Sequence, residues 1–275
     1  MNRLYFLVLI LSGAIFFYSC KQKGGGDDEH LIKGNDYVLN DDLASAQKEY
    51  EFAIKIDSNN WRACYELAGV YQLQGDFSNA LYYFNRSVKI NPKFALGYYN
   101  KANLEELIGD ESGTDKDLKN TIKNNKGFFL ALMSKGRREY SEGLYKEAVS
   151  SLDAAIGVRD DFYYVYSMRG SCKFKMGDIA GAIKDFDMEV KLVPGHAMGY
   201  INRGIAYGQL KDLRNAINDF TSAISVDPTA SQAYLYRGQL FYNSNSKDSA
   251  CADFRMAAQL KNPQADAYLK QYCGQ

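Results

Sequence analysis

The sequence repeats itself every 34 residues over most of its length. At this shift the chain divides into seven equal registers with no insertion between them: 27–60, 61–94, 95–128, 129–162, 163–196, 197–230 and 231–264. A unit this short cannot bury its apolar face alone, so neighbouring units must stack to form a core. The period therefore predicts an array of stacked units in place of a single globular core.

Small and large apolar residues recur at fixed positions, which are counted here from the first residue of each repeat. Position 8 holds only glycine or alanine: Gly34, Ala68, Ala102, Gly136, Gly170, Gly204 and Gly238. Position 24 holds an aromatic residue or leucine: Tyr50, Phe84, Leu118, Leu152, Phe186, Phe220 and Phe254. Residues three or four apart share one face of a helix, so the spacing around these positions predicts two amphipathic helices that cross closely.

Polar turns and prolines divide each unit. Breaks such as Gly177-Asp178 separate a first helix from a second. Pro92, Pro194 and Pro228 all stand at position 32, where a residue without an N–H group ends the second helix. The pattern predicts a helix-turn-helix unit that is repeated without interruption.

These positions resemble those of the tetratricopeptide repeat, which has the same period. The resemblance covers residues 27–264 and implies an all-α fold, a right-handed α-solenoid of seven 34-residue helix-turn-helix repeats. Residues 265–275 interleave polar and apolar side chains, and we expect them to form a C-terminal capping helix on the last repeat.

The first twenty residues have the pattern of a secretory signal. Arg3 precedes the uncharged run Leu4 to Phe17, which as a helix spans about 21 Å, short of the roughly 30 Å of a bilayer core. The run ends in Ser19-Cys20, which resembles the lipobox of bacterial lipoproteins, although Phe17 and Tyr18 depart from its usual residues. A secreted protein without a lipid and an uncleaved anchor are the alternatives.

The lipoprotein resemblance implies a division of the N-terminal segment. Residues 1–19 are then a signal peptide, Cys20 is lipidated, and residues 20–26 form a tether that a glycine triplet makes flexible. Lys21 follows the cysteine where retention in the inner membrane requires aspartate, so the same resemblance favours the outer membrane. The predicted location is the bacterial cell envelope, with the protein bound to the membrane through the lipid.

Composition excludes several functions. The 33 basic and 33 acidic residues cancel, which removes the electrostatic basis for binding nucleic acid. Two histidines do not supply a multi-histidine metal site, and the sequence lacks a phosphate-binding loop and the hydrolase motifs. We therefore predict a protein that is not an enzyme and needs no cofactor or metal. Cys64, Cys172, Cys251 and Cys273 have no metal-ligand spacing and are expected to be buried free thiols.

Two charge patterns stand out among the repeats. Arginines at position 7 (Arg169, Arg203, Arg237) accompany aspartates at position 23 (Asp185, Asp219, Asp253), which predicts structural ion pairs between paired helices. The first repeat carries nine acidic residues against three lysines. We interpret this excess as a solvated cap, with a docking surface as the alternative.

By resemblance, the first helices of successive repeats line a concave groove, with positions 2, 5, 9 and 12 on one face. The residues that we expect to bind a partner there are Tyr65, Tyr99, Asn103, Arg137, Tyr140, Tyr164, Phe174 and Tyr242. An aromatic surface with isolated polar groups suits an extended peptide or a partner helix. The predicted function is a membrane-anchored scaffold for a protein or peptide partner of the envelope, whose identity the sequence leaves open together with the oligomeric state.

The alternative function is capture of a glycan. In that case Tyr65, Tyr99, Tyr140 and Phe174 stack on sugar rings. The absence of inserted loops to build a sugar pocket counts against it.

Overall fold

The computed structural model describes residues 26–274, and no strand occurs among them. The fifteen helices of this part of the chain are α1 (Gly26–Leu39), α2 (Leu43–Ile56), α3 (Trp61–Gln74), α4 (Phe77–Ile90), α5 (Ala95–Ile108), α6 (Glu111–Asn124), α7 (Phe129–Ser141), α8 (Tyr145–Val158), α9 (Tyr163–Lys175), α10 (Ile179–Leu192), α11 (Ala197–Gln209), α12 (Leu213–Val226), α13 (Ser231–Asn243), α14 (Lys247–Gln259) and α15 (Ala265–Tyr268). A π-helical turn, Leu269–Cys273, continues α15.

The helices form two compact units that divide after Ala131, within α7. In the first unit the pairs α1–α2, α3–α4 and α5–α6 pack side by side, and the second helix of each pair packs on the first helix of the next pair. The second unit contains α9–α10, α11–α12 and α13–α14 in the same arrangement, with α8 packed on α9. The predicted all-α fold of stacked helix pairs is confirmed.

A left-handed residue at position 15 joins the two helices of a repeat. In four repeats it is a glycine, as at Gly75 and Gly177, with φ of 82° and 83°. In three repeats it is another residue with φ of 60° or 61°, namely Asp41, Lys211 or Asn245. Glycine adopts this conformation without a steric penalty, whereas a residue with a Cβ atom does not.

Aspartate begins most second helices. In Asp76, Asp178 and Asp212 the side chain accepts a hydrogen bond from the backbone N–H three residues later, and Asp42 and Asp110 do the same. Such a cap satisfies one of the free N–H groups at a helix start. The second helices α4, α10 and α12 end two residues before a proline, as predicted.

The glycines of position 8 lie where paired helices approach each other. A Cβ atom on Gly170 would lie 2.7 Å from the ring of Phe186, and one on Gly204 would lie 2.9 Å from the ring of Phe220. Both rings are buried. The predicted crossing of small residues against large rings is therefore observed, and the repeat core sits between the helices of each pair.

The C-terminal helix packs on the last repeat. Tyr268, Leu269 and Tyr272 contact a buried cluster that includes Leu235 and Phe254. This segment lies where we expected the capping helix, although only its first turn is α-helical.

One disulfide bond corrects the cysteine prediction. Cys251 on α14 is bonded to Cys273, 22 residues later, because the chain folds back on α14 after Pro263. The prediction of a free thiol is wrong for these two residues. Cys64 and Cys172 are free and buried, as predicted.

The predicted signal peptide (residues 1–19), the lipidation site Cys20 and most of the predicted tether lie outside the described residues. Gly26, which we placed in the tether, begins α1. None of the helices within residues 26–274 has both the length and the apolar character needed to cross a bilayer.

Candidate functional site

On the first helices, several of the side chains at position 2 of the repeats are exposed to solvent. In the second unit, Tyr164 on α9 is 40% exposed and Met198 on α11 is 42% exposed. Gln232, at the same position of α13, is also exposed. Because α9 contacts α11 and α11 contacts α13, these three side chains form a row, here called the first-helix row. In the first unit, position 2 is exposed at Arg62 and Leu130 and half-buried at Asp28 and Leu96.

Position 5 points towards the next repeat, which corrects the predicted groove. Tyr99 is only 6% exposed and its ring lies 5.0 Å from that of Phe128. Tyr65 packs edge-on against Phe94 and accepts a 2.6 Å hydrogen bond from the side-chain amide of Asn100. Tyr99 is therefore a core residue, and the prediction that it lines a groove is wrong. Tyr65 is half-buried. Its ring packs against Phe94, the last residue of its own repeat, and its hydroxyl contacts Asn100 of the next repeat.

Positions 9 and 12 are partly open. Arg137 is exposed, whereas Asn103 and Tyr140 are half-buried. The ring of Tyr140 lies 5.5 Å from that of Tyr145, and burial raises the pKa of Tyr140. These residues keep a surface that a partner can reach, and their role in binding stays a prediction.

The two remaining candidates of the second unit differ in their surroundings. Phe174 is half-buried and packs against a cluster that contains Phe186. Tyr242 is exposed on one side, and its ring lies 4.3 Å from that of Tyr272 in the C-terminal turn. The repeat pattern does not predict this contact, because it depends on how the C-terminal segment returns to the last repeat.

The arginines of position 7 form the predicted ion pairs. The Nε and Nη2 atoms of Arg203 donate to the two carboxylate oxygens of Asp219 at 2.9 and 2.7 Å. Arg169 and Arg237 bind Asp185 and Asp253 in the same bidentate manner. These aspartates are almost completely buried.

Each arginine also reaches the preceding repeat, which we did not predict. Arg203 donates through Nη1 to Asp187, 2.7 Å away on α10, and its guanidinium lies 5.7 Å from the ring of Tyr200. The two aspartates raise the pKa of Arg203 further above its usual value, mainly through the hydrogen bond to Asp219. The signal was present in the sequence, because Asp153 and Asp187 both occupy position 25, one repeat before an arginine.

A buried lysine takes the place of this arginine in the third repeat. The Nζ atom of Lys101 lies 2.6 Å from Asp117 and 3.1 Å from Glu105, and all three side chains are buried. Burial raises the pKa of Glu105, which the ion pair with Lys101 opposes. The cluster joins α5 to α6, so its role is structural.

Glu189 is a fully buried carboxylate at a position where five other repeats hold alanine or serine. Its Oε1 atom lies 2.9 Å from Nδ1 of His196, and Gly199 on α11 leaves space for its side chain. Burial raises the pKa of Glu189. Because the carboxylate has no exposed surface, it is not available to a substrate in solution.

Glu66 on α3 is a half-buried carboxylate. Burial alone raises its pKa to about 7. Within residues 26–274, no group of three or more His, Cys, Asp or Glu side chains is arranged to hold a metal ion.

Comparison with known proteins identifies the repeat. Models of the tetratricopeptide repeat family match residues 61–94 and residues 201–268. The C-terminal part of a repeat-containing protein from Cytophaga hutchinsonii is similar in structure, with a TM-score of 0.73 at 15% sequence identity, covering 87% of this chain and 99% of that chain. No curated protein matches the sequence.

Two further solved structures share the fold. A tetratricopeptide repeat protein from Parabacteroides merdae has a TM-score of 0.59 at 19% identity, covering 90% of this chain and 98% of that chain. YrrB, described as a TPR protein with an unusual peptide-binding site, has a TM-score of 0.61 at 17% identity, covering 67% of this chain and 95% of that chain. The family matches in both units, on a fold of stacked helix pairs, establish that the chain is a tetratricopeptide repeat protein.

Proposed function

We propose that the protein is a non-enzymatic adaptor of the bacterial cell envelope, anchored to the outer membrane by a lipid on Cys20. Its repeats hold a protein or peptide partner along the first helices. The fold itself is that of a protein-interaction scaffold. The lipid anchor, the envelope location and the absence of catalysis belong to the proposal.

The first-helix row is the observation that carries the binding function. Tyr164 and Met198 are large apolar side chains that remain exposed on adjacent helices, with the amide of Gln232 beside them. Exposed aromatic and methionine side chains are enriched in protein interfaces. A row on the first helices of three successive repeats suits a partner that lies across the repeats, such as an extended peptide or a helix. The peptide-binding site of YrrB, which has the same fold, supports this reading.

The disulfide bond supports an envelope location. Disulfide bonds persist in oxidising compartments, which include the bacterial periplasm and the cell surface, and are rare in the cytosol. Cys251 on the last repeat is bonded to Cys273 of the C-terminal segment. This chemistry agrees with export of the chain through the N-terminal signal that the sequence predicts.

The glycan alternative is not carried forward. It required Tyr65 and Tyr99 to stack on sugars, but Tyr99 lies in the core and the ring of Tyr65 packs edge-on against Phe94.

The anchor is tested by fractionating cells that express the wild-type chain or Cys20→Ser. We expect the wild-type chain to be found in the membrane fraction and to be labelled by radioactive palmitate supplied to the cells. The variant should carry no label and should be found in the soluble fraction or as the uncleaved precursor. A variant that is labelled, or that stays in the outer membrane as the wild type does, would show the lipid-anchor proposal to be wrong.

The partner site is tested by affinity purification of the full chain from envelopes. The Tyr164→Asp/Met198→Asp variant should lose the partner that the wild type retains, because two charges are placed on the first-helix row. Val226→Asp/Met256→Asp is the matched control, since it changes similarly exposed residues of the same unit on second helices. Equal recovery from both variants would exclude the row as the binding surface.

A further inference from the structure

The N-terminal end of the first unit exposes apolar side chains at positions that face a neighbouring repeat elsewhere in the chain. Ile32 on α1 is 62% exposed, and Phe52 on α2 is 50% exposed. Ile56, one turn after Phe52, is exposed as well. These three residues are called here the N-terminal end face.

The later repeats show what these positions do. Position 6, which Ile32 occupies, is Asn100 in the third repeat, where its side chain donates to Tyr65 of the preceding repeat. Position 26, which Phe52 occupies, is Arg86 in the second repeat, where it donates to the carbonyl of Ser58 at 2.6 Å.

Position 30 gives the same result. Ile56 occupies it in the first repeat, and in the third repeat it is Asn124, which donates to the carbonyl of Pro92, 2.9 Å away in the preceding repeat. All three positions therefore reach backwards along the chain. In the first repeat these three positions hold apolar residues, and their side chains are exposed to solvent.

The two helices present this face as one surface. His30 on α1 stacks on Phe52 with ring centroids 5.5 Å apart, and its Nδ1 atom lies 2.6 Å from Glu49 on α2. Gly26, at the start of α1, lies beside Ile56, since a Cβ atom there would be 3.8 Å from its side chain. The ring stack and the contact between His30 and Glu49 thus fix α1 against α2 at the edge of the end face.

The charges around the end face are mostly negative. Asp28 and Asp36 lie one turn before and one turn after Ile32 on α1. Glu29 is also nearby and is paired with Lys33 at 2.8 Å. Lys48 and Lys55 stand on either side of Phe52, but they do not offset the nine acidic residues of residues 27–60, which contain three lysines in all.

We propose that the N-terminal end face docks a partner helix with apolar side chains bordered by lysine or arginine. The apolar side chains of the partner take the place of the contacts that a preceding repeat makes elsewhere in the chain. The lysine or arginine residues of the partner pair with Asp28 and Asp36. The same charge disfavours a second copy of this end, because two acidic faces repel each other, and it disfavours an anionic lipid surface. This surface is separate from the first-helix row, and the proposal does not depend on that row.

The test uses a synthetic 18-residue amphipathic helix of leucine and lysine and a matched helix of leucine and glutamate. Binding to the full chain in phosphatidylcholine nanodiscs is measured by fluorescence anisotropy, with empty nanodiscs as background. We expect the lysine helix to bind at least tenfold more tightly than the glutamate helix. Ile32→Gln/Phe52→Gln should weaken that binding at least tenfold, whereas the control Tyr82→Gln/Leu107→Gln, which changes exposed apolar residues of the same unit, should alter it less than twofold.

Three results would overturn the proposal. The first is equal binding of the lysine helix to both double variants, and the second is no preference for lysine over glutamate. The third comes from a benzophenone crosslinker placed at Ile32 of the full chain. Crosslinks to residues 1–25 or to a second copy would show that the chain itself covers the face. Melting curves of the variants, expected to match the wild type, exclude unfolding as the cause of a loss.

Discussion

At the scale of single residues, the left-handed turn at position 15 distinguishes repeats that carry glycine from repeats that do not. Lys211 adopts φ of 61° in a turn where Gly177 has φ of 83°. A residue with a Cβ atom is disfavoured in the left-handed region by roughly 1–2 kcal/mol. Glycine avoids this cost, but it loses part of the advantage because it has greater conformational freedom in the unfolded chain.

We therefore expect Lys211→Gly to raise the free energy of unfolding by about 0.5–1 kcal/mol. Chemical denaturation of the full chain measures this change, and Lys211→Ala is the control because it removes the lysine side chain but keeps the Cβ atom. If the alanine variant gains as much stability as the glycine variant, the backbone conformation is not the cause.

Glu66 makes the stability depend on pH. Burial raises the pKa of Glu66 from 4.5 to about 7. Between pH 4.5 and 7 its carboxyl group is therefore protonated in the folded chain but ionised in the unfolded chain. Stability is therefore highest below about pH 4.5 as far as this residue is concerned, and it falls as the pH rises through 7. Glu66→Gln should remove this decline and stabilise the protein at pH 8 by about 1–2 kcal/mol, which is less than the full pKa shift implies because solvent screens the half-buried side chain.

The measurement is the midpoint of urea unfolding at pH 5, 6, 7 and 8 for the wild type and Glu66→Gln. The difference between the two proteins should grow with pH. The exposed Glu51, changed to glutamine, serves as the control and should leave the pH profile of the wild type unchanged. A difference for Glu66→Gln that stays constant over this range would contradict the raised pKa.

Single residues also mark the limit of the sequence analysis. Tyr99 and Tyr164 are both tyrosines of a first helix, and helical spacing placed them on one face. The structure buries the first and exposes the second, because position 5 points towards the next repeat and position 2 does not. Helical period predicts which residues share a face, but the direction of that face follows from how neighbouring repeats stack.

At the scale of helices, the arginine of position 7 connects three elements. Arg203 on α11 binds Asp219 on α12 and Asp187 on α10, so it holds its own pair together and ties that pair to the repeat before it. Removing the guanidinium leaves Asp219 buried without its ionic partner. Breaking a buried ion pair at one side costs roughly 3–5 kcal/mol.

We expect Arg203→Leu to lower the free energy of unfolding by about 3 kcal/mol. The double variant Arg203→Leu/Asp219→Leu should recover most of this loss, because it removes the uncompensated charge. Arg214→Leu on the exposed side of α12 is the control and should have little effect. Equal stability of Arg203→Leu and the wild type would show that the pair does not hold the helices together.

The C-terminal segment depends on a covalent bond as well as on packing. The loop between Cys251 and Cys273 spans 22 residues, and closing a loop of this length stabilises a folded chain by about 3 kcal/mol in the chain-entropy model. Cys273→Ser should therefore lower the melting temperature and speed amide exchange in residues 265–273. Cys251→Ser should give the same result, and a reductant should have no further effect on either variant. Unchanged exchange in both variants would mean that packing of Tyr268 and Tyr272 alone holds the segment.

This disulfide shows a second limit of sequence reasoning. Spacing of 22 residues gave no reason to pair the two cysteines, since nothing in the period predicts where the chain goes after the last repeat. The crossing of glycine with phenylalanine was predictable, because it recurs with the period and follows from the size of the side chains. Features that occur once in the chain, such as the bond and the contact of Tyr242 with Tyr272, depend on tertiary packing that the repeat does not encode.

At the scale of the whole molecule, the repeat determines the fold, and the differences between repeats determine what each surface can do. The family matches cover residues 61–94 and 201–268, in both units. The repeats between these two ranges contain the buried cluster around Lys101 and the buried carboxylate of Glu189. Lys101 stands where three other repeats hold arginine, and Glu189 stands where five other repeats hold alanine or serine. The end face and the first-helix row are two such differences at the surface, and each presents a distinct chemistry to a partner.

The central claim is that the first helices hold a protein partner, and photo-crosslinking in the native cells tests it most directly. A benzophenone amino acid replaces Tyr164 or Met198 on first helices, or Lys184 on the exposed side of α10 as the control. We predict a discrete protein adduct from the first-helix positions that is absent from the control. The same adducts from Lys184, or none from Tyr164 and Met198, would contradict the account.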